Sequence, residues 1–344
     1  MNKKFIIFVF LLFLLGCAKI INNSTIIAMG GKISSPASGV VIGAFVGDVN
    51  NINAFELTVG RSLGIVSIYK SWLTKNEFNQ FPESELNTIY QNDSIPIITW
   101  EPWDSSSTSN TSLTLEKIIS GNYDEYITDW AESAKNYKRS MFIRFGHEMN
   151  ISTYTWNGLY NGGATENAYG ANNKPDGPER YVDAYKHVWN IFNEVGASNV
   201  TWIWAVNHNN NPTENWNSKA NYYPGDAYVD WLGIDGYNFN DGTILYRSFD
   251  EIFVDAINEV SAIPGSVKPI IISEMSSNDG RAGTPAKSDW ITDALLKISQ
   301  DTRIKAFAWF NEDKSDGNWA LTVDIDKLAF RDSITSTSNF LSSF

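Results

Sequence analysis

Eight short apolar runs recur along this 344-residue chain, and their spacing constrains its fold more than any other feature. They are VVIGAFVGD (40–48), GIVSIYKSW (64–72), SIPIITWEPW (94–103), RSMFIRFGHEMN (139–150), NVTWIWAVNHN (199–209), VDWLGIDGYNF (229–239), KPIIISEMSS (268–277) and IKAFAWFNED (304–313). Each is continuously apolar rather than alternating, as parallel strands covered on both faces are. Amphipathic segments lie between them, among them 123–137, 179–196 and 288–299. Strand–helix alternation repeated eight times predicts an α/β fold, a (β/α)8 TIM barrel, over residues 39–344. Such a barrel takes about 250 residues; no internal repeat stands out, and a single catalytic domain is expected.

Five of the eight runs turn polar or charged at their C-terminal ends: WEPW, HEMN, NHN, SEMS and FNED. In this architecture the strand ends line one rim, where active sites sit. RFGHEMN (144–150) is the densest case, with an arginine, a histidine and a glutamate at the end of a buried strand. A zincin helix would need a second histidine one turn after HE, and that position is Ile151. No GxSxG elbow marks a serine hydrolase. No metal or other cofactor is therefore expected.

A pair of carboxylates fits better. Glu148 ends the fourth run and Glu274 the seventh, and these two strand ends can face one another across a barrel mouth. Two carboxyls about 5–5.5 Å apart suit a retaining glycosidase, one acting as acid/base and the other as nucleophile. Strand period puts Phe142, Arg144, Gly146 and Glu148 on one face, and Met141, Ile143, Phe145 and His147 on the other. A buried arginine needs a partner, so Arg144 is expected to pair with Glu274 and hold it anionic. Tyr237, ending the neighbouring run, can donate to the same carboxylate. The charge on Glu274 would then help keep Glu148 protonated.

The N-terminus reads as a targeting segment. MNKK is a short basic start, and Phe5 to Leu15 is too short to span a bilayer comfortably. It ends in LLGC, similar to a bacterial lipoprotein signal. Residues 1–16 would be removed and Cys17, the only cysteine, would carry lipid; residues 17–38, polar and small, read as a flexible tether. The expected location is the bacterial cell envelope, exported and lipid-anchored. A formal charge of −13 argues against nucleic acid as a partner. Thirteen Trp and 15 Tyr supply faces that stack on sugar rings, although core packing accounts for most such residues.

RFGHEMN, SEM on the seventh strand and YYPGDAYVDWLGIDGYN (222–238) resemble glycoside hydrolase family 26, over roughly residues 40–340. The family's members are retaining enzymes on β-mannan, mixed-linkage β-1,3-1,4-glucan or β-1,3-xylan, and none requires a metal. The resemblance implies Glu148 as acid/base and Glu274 as nucleophile, supported by Arg144, His147 and Tyr237. Family members commonly read HEMNGxWYPW after the acid. Here the stretch is HEMNISTYTW, so Thr153 replaces the first tryptophan, Trp156 keeps the second, and Tyr154 is a candidate substitute platform. On strand three the family's mannanases carry a Trp-His pair, whereas TWEPW (Thr99–Trp103) looks more like the members that cut mixed-linkage glucan. Glu101 and Trp103 would line the cleft.

Position adds Trp72, Asn150, Asn207 and Trp309 as candidate substrate-binding residues, and the long polar loop 157–179 as a cleft wall. A monomeric endo-β-glycanase acting on a β-linked polysaccharide is the leading expectation, with mixed-linkage glucan ahead of mannan or xylan. A catalytically silent polysaccharide-binding barrel and an exopolysaccharide-export accessory lipoprotein are the competing ones.

Overall fold

The computed structural model describes residues 30–107, 113–241, 243–279 and 283–344. All eight apolar runs are strands: β1 Val40–Phe45, β2 Ile65–Thr74, β3 Ile95–Asp104, β4 Met141–Phe145, β5 Val200–Asn207, β6 Trp231–Asn238, β7 Ile270–Ser277 and β8 Ile304–Phe310. Each pairs in parallel with its sequence neighbours, and β8 pairs with β1 to close the barrel. Closure pairs each of the eight barrel strands on both sides.

The outer layer holds α1 Ile52–Val59, α2 Glu83–Gln91, a short α3 Leu115–Ile119, α4 Asp124–Tyr137, α5 Asp176–Val195, α6 Phe249–Ala262, α7 Lys287–Gln300 and α8 Asp324–Thr335. Local chemistry sets several of their ends. Gly60 and Gly196 close α1 and α5 in the left-handed conformation, and Ser248 with Glu251 forms a capping box on α6. The expected alternation fails once. The β5–β6 connection carries only 3-10 turns, Asn215–Asn217 and Lys219–Tyr222, in place of an α-helix. Its sequence, NHNNNPTENWNSKANYYPGDAY, has no apolar face at helical spacing to bury. Among the described residues no helix is long and apolar enough to cross a membrane.

Alternation along the strands divides the interior into two regions. Val41, Ile65, Ile97, Phe142, Ile203, Trp231, Ile271 and Ala306, one from each strand, form a sealed apolar floor. Ile33, Leu341 and Phe344 close it from below. Ile33 is pinned there: its N–H donates to Thr201 Oγ1 at 2.7 Å, and its carbonyl accepts from Trp231 Nε1 at 3.1 Å. Lys32 bridges to Asp230 at 2.7 Å. Residues 31–33 therefore belong to the barrel, and the flexible stretch expected over 17–38 does not extend across them. Cys17 and the expected leader lie outside the described residues.

Outward-facing strand residues pack under the helices. Trp72, Trp100 and Trp130 form one such cluster, with ring centroids 4.9 and 4.6 Å apart.

Candidate active site

The strand ends open into a cleft of about 410 Å³ at the C-terminal rim. Glu148 and Glu274 both line it. They arrive by different backbone devices. β4 ends at Phe145, and Gly146 then turns left-handed at φ +53°. Glu148 itself sits at φ +53°, a conformation that costs a non-glycine residue energy and that surrounding structure must enforce. Its N–H donates to the Ala205 carbonyl of β5 at 3.0 Å, which fixes the turn. On β7 the register shifts between Ile272 and Met275. The bulge lets Ser273 and Glu274, adjacent in sequence, both reach the barrel interior, where strict alternation would have sent one outward.

Arg144 stands at the centre, fully buried. It donates to Asp235 Oδ2 at 2.7 Å and makes a short hydrogen bond to Glu274 Oε1. Its remaining donors reach Thr99 Oγ1 at 2.8 and 3.0 Å. Tyr237 donates to Glu274 Oε2 at 2.6 Å. Both oxygens of Glu274 are thus occupied by donors. Burial alone would raise its pKa; the Arg144 guanidinium, with Tyr237 and Tyr69 assisting, outweighs burial and holds the carboxyl at about 2. Glu148 behaves oppositely. Burial raises its pKa well above the ordinary range, and the nearby charges of Asp235 and Glu274 add to the rise. The amide of Asn207 donates to its Oε1 at 2.8 Å and aims it. One cleft therefore holds two carboxyls driven in opposite directions, Glu274 toward the ionised form and Glu148 toward the protonated one.

His147 is not on the opposite face from Arg144, as strand period predicts. The strand has ended before it, so alternation no longer applies. Its Nε2 lies 3.1 Å from the Tyr154 hydroxyl and 4.0 Å from Glu274 Oε1. Burial, then the charge on Arg144, push its pKa down to about 3, so the ring is neutral. His147, Asp235 and Glu274 could each offer a ligand atom within 4.8 Å of the others. The Arg144 guanidinium already bridges the two carboxylates, and a second cation there would be repelled.

Glu101, Trp103, Tyr154 and Asn207 line the cleft. Trp103 Nε1 donates to Glu101 Oε2 at 3.2 Å, and burial pushes Glu101 up to about 7. Four other expectations are corrected. Trp72 is fully buried among Trp100, Tyr126 and Phe145, on the outward side of β2. Trp309 is likewise buried, against Trp290 of α7 and Phe330 of α8. Neither can touch substrate. Trp156 is buried beneath Tyr154, stacked at 4.4 Å and 9°, with its Nε1 bound to the His147 carbonyl at 2.7 Å; it supports the platform. Asn150 is also buried, and its amide donates to the carbonyls of Asn207 and Asn209 while its Oδ1 accepts from Asn207 N–H at 2.9 Å. It positions Asn207. No residue of the loop 157–179 lines the cleft.

The structure adds residues that sequence reasoning did not name. Asp235 is the second partner of Arg144 and is also held by Ser273 Oγ at 2.6 Å. Two residues before Tyr237 on β6, it shares Tyr237's face, so strand period could have found it. Tyr69, Phe239, Lys314 and Trp319 also line the cleft. Trp319 lies beyond β8 in a segment with no strand signal, which is why it was missed.

The model for glycosyl hydrolase family 26 matches residues 64–297. The chain belongs to this family. It is 33% identical to endoglucanase H of Acetivibrio thermocellus over 312 residues, which is 88% of this chain but 31% of that protein, so it spans about a third of its relative's length. It is 31% identical to a mannan endo-1,4-beta-mannosidase of Bacillus subtilis over 115 residues, 32% of this chain and 27% of the other. Among solved structures, the Bacillus subtilis mannanase man26 superposes with a TM-score of 0.57 at 17% identity, covering 85% of each chain. A family 26 β-mannanase from Bacteroides ovatus does so at 0.57 and 16%, covering 89% of this chain and 90% of that one. These likenesses in structure establish a shared barrel.

Proposed function

We propose that the chain is a retaining endo-β-glycanase that cleaves a β-linked polysaccharide by double displacement. The observation that carries this is the pairing of Glu148 and Glu274 in one cleft, the first aimed by Asn207 and the second held by Arg144 and Tyr237. Glu148 protonates the glycosidic oxygen as Glu274 attacks the anomeric carbon, forming a glycosyl ester and releasing the leaving chain. Glu148, now a carboxylate, takes a proton from water, which hydrolyses the ester and frees Glu274. Arg144 and Tyr237 fix the orientation of the attacking carboxylate. His147, neutral, packs against it without adding charge. A silent binding module would have no use for a buried carboxyl held at φ +53° in a cleft.

Mixed-linkage β-1,3-1,4-glucan is our first substrate. Glu101 and Trp103 of TWEPW support it, because both face the cleft, and so does similarity to an endoglucanase over most of the chain. β-1,4-Mannan is the second reading, favoured by the mannosidase relative. Reducing-sugar release on barley β-glucan, glucomannan, galactomannan and β-1,3-xylan separates them, with Glu148→Gln as the blank. Release from β-glucan alone supports the first reading and release from the mannans the second. No release by folded protein from any polymer would overturn both.

We further infer from LLGC that Cys17 is lipidated and that the enzyme sits in the cell envelope as a monomer. Labelling with an alkyne fatty acid, lost in Cys17→Ser, tests the anchor; unlabelled wild-type protein would exclude it.

A further inference from the structure

Trp319 borders the nucleophile side of the cleft and is only 2% exposed, so most of its ring is spent on packing. Its ring packs on Tyr237 at 5.0 Å and edge-on against Phe239 at 5.1 Å. Tyr237 is the residue that donates to Glu274. Trp319 belongs to no barrel strand. It follows a small hairpin, Asp313–Lys314 with Gly317–Asn318, that crosses the rim after β8. In this segment the N–H groups of Asn318, Ala320 and Leu321 donate to Asn278, Asp313 and Asn311, and the indole N–H donates to Asp316 Oδ1 at 3.2 Å; the carbonyls need donors of their own.

Beneath it lies Lys287, the first residue of α7, only 3% exposed. Its ammonium donates to the carbonyl of Asn318 at 2.8 Å and to that of Ala320 at 2.7 Å, the residues on either side of Trp319. Ser276 Oγ of β7 donates to the carbonyl of Trp319 itself at 2.8 Å. Three consecutive carbonyls are therefore gripped from below, two of them by one cation. The third direction of the ammonium faces Asp279 Oδ1 at 3.8 Å. Asp326 and Asp313 also bear on it electrostatically. Burying an ammonium is costly unless its donors are used, and here two are spent on backbone flanking a cleft residue.

We propose that Lys287 is the positioning residue of Trp319: its two hydrogen bonds set the height and tilt of the indole over the cleft floor, and through it the packing of Tyr237. Lys287 touches no substrate and acts only through the 318–320 backbone. An apolar side chain of similar length would fill the space yet leave two carbonyls without donors, and the segment would lift. The indole braces Tyr237 rather than offering a face to a sugar, and its positioning does not rest on the function proposed above.

The test labels the protein with 5-fluorotryptophan and assigns the Trp319 resonance among the 13 tryptophans by its loss in Trp319→Phe. In Lys287→Met that resonance is expected to shift or broaden while resonances of the barrel floor and outer core, such as Trp231 and Trp130, stay fixed. Because Trp319 packs on Tyr237, which orients Glu274, kcat for the polymer is expected to fall about fivefold with KM within about twofold. An unmoved Trp319 resonance overturns the proposal, and so does a disturbance spread over all the tryptophans, which would make Lys287 a general stabiliser. Should Lys287→Met fail to fold, Ser276→Ala removes one donor to the same backbone and must move the same resonance. The fluorine spectrum needs no substrate, so it decides the positioning role even if no polymer is cleaved.

Discussion

The floor and the mouth of this barrel are built from the same strands, two to four residues apart, and have opposite chemistry. Phe142 seals the floor; Arg144, next on the same face of β4, opens the mouth. Trp231 and Asp235 stand in the same relation on β6, and Ile271 and Glu274 on β7. Below the arginine, the layer is apolar apart from the Trp231 indole N–H, which the Ile33 carbonyl accepts, and it is held mainly by packing. Above it, nearly every side chain is charged or hydrogen-bonded, and position is fixed by named donors. The floor supplies stability, and the mouth spends some of it to hold two carboxyls in unlike states.

The contrast breaks most severely at Glu274. Glu274→Ala should lower kcat by ~10^4-fold or more on polymer and on aryl glycosides alike, because the attacking group is gone. Azide should restore turnover with a product of inverted configuration. Residual activity within about tenfold of wild type would mean another group attacks.

Arg144→Met should come next. It leaves Asp235 and Glu274 buried without their cation, and breaking a buried pair costs about 3–5 kcal/mol. Without the guanidinium, the pKa of Glu274 rises from about 2. The acid limb of kcat/KM should then move toward neutral pH, since the nucleophile must lose its proton to attack. An acid limb that stays in place would separate Arg144 from the ionisation of Glu274.

Phe142→Ala probes the floor two residues away. A buried Phe→Ala change costs about 3–5 kcal/mol. Chemical denaturation should show that loss, while kcat/KM at 25 °C stays within about twofold. A comparable fall in both would mean that floor and mouth are mechanically one unit.

How much of this was legible depended on whether strand period still held at the residue in question. Within β4 it did, and Arg144 was placed with its partner Glu274 from spacing and charge alone. The same rule, applied to β2 and β8, would have removed Trp72 and Trp309 from the candidates, because both share parity with outward residues such as Ile68 and Phe307. Trp72 and Trp309 were chosen for residue type and closeness to a strand end, which do not say which face is presented. Where the strand had ended the rule misled. His147 follows a left-handed glycine, and Glu274 sits on a bulge; neither conformation leaves a pattern in one sequence. Trp319 was invisible for a third reason: what holds it is Lys287, 32 residues earlier in the chain, and a contact of that kind has no local signature.

The smallest effect sharpens the comparison from the mouth's side. Glu148 has a folded-state pKa above its ordinary 4.5, raised by burial and by the charges of Asp235 and Glu274. A raised carboxyl binds its proton more tightly when folded, so it lowers stability as pH climbs from about 4.5 toward the folded value. Glu274, with its pKa depressed to about 2, contributes the reverse: stability present above about 4.5 and lost as pH falls through about 2. Glu148→Gln keeps the acceptor for Asn207 and cannot ionise. It should therefore melt roughly 1–4 °C higher than wild type near neutral pH, with the gain shrinking to nothing below about pH 4.5. Scanning calorimetry across pH 4–8 measures it. A gain that is equal at every pH would trace to altered packing, and no gain at all would mean that Glu148 is not held protonated by its surroundings.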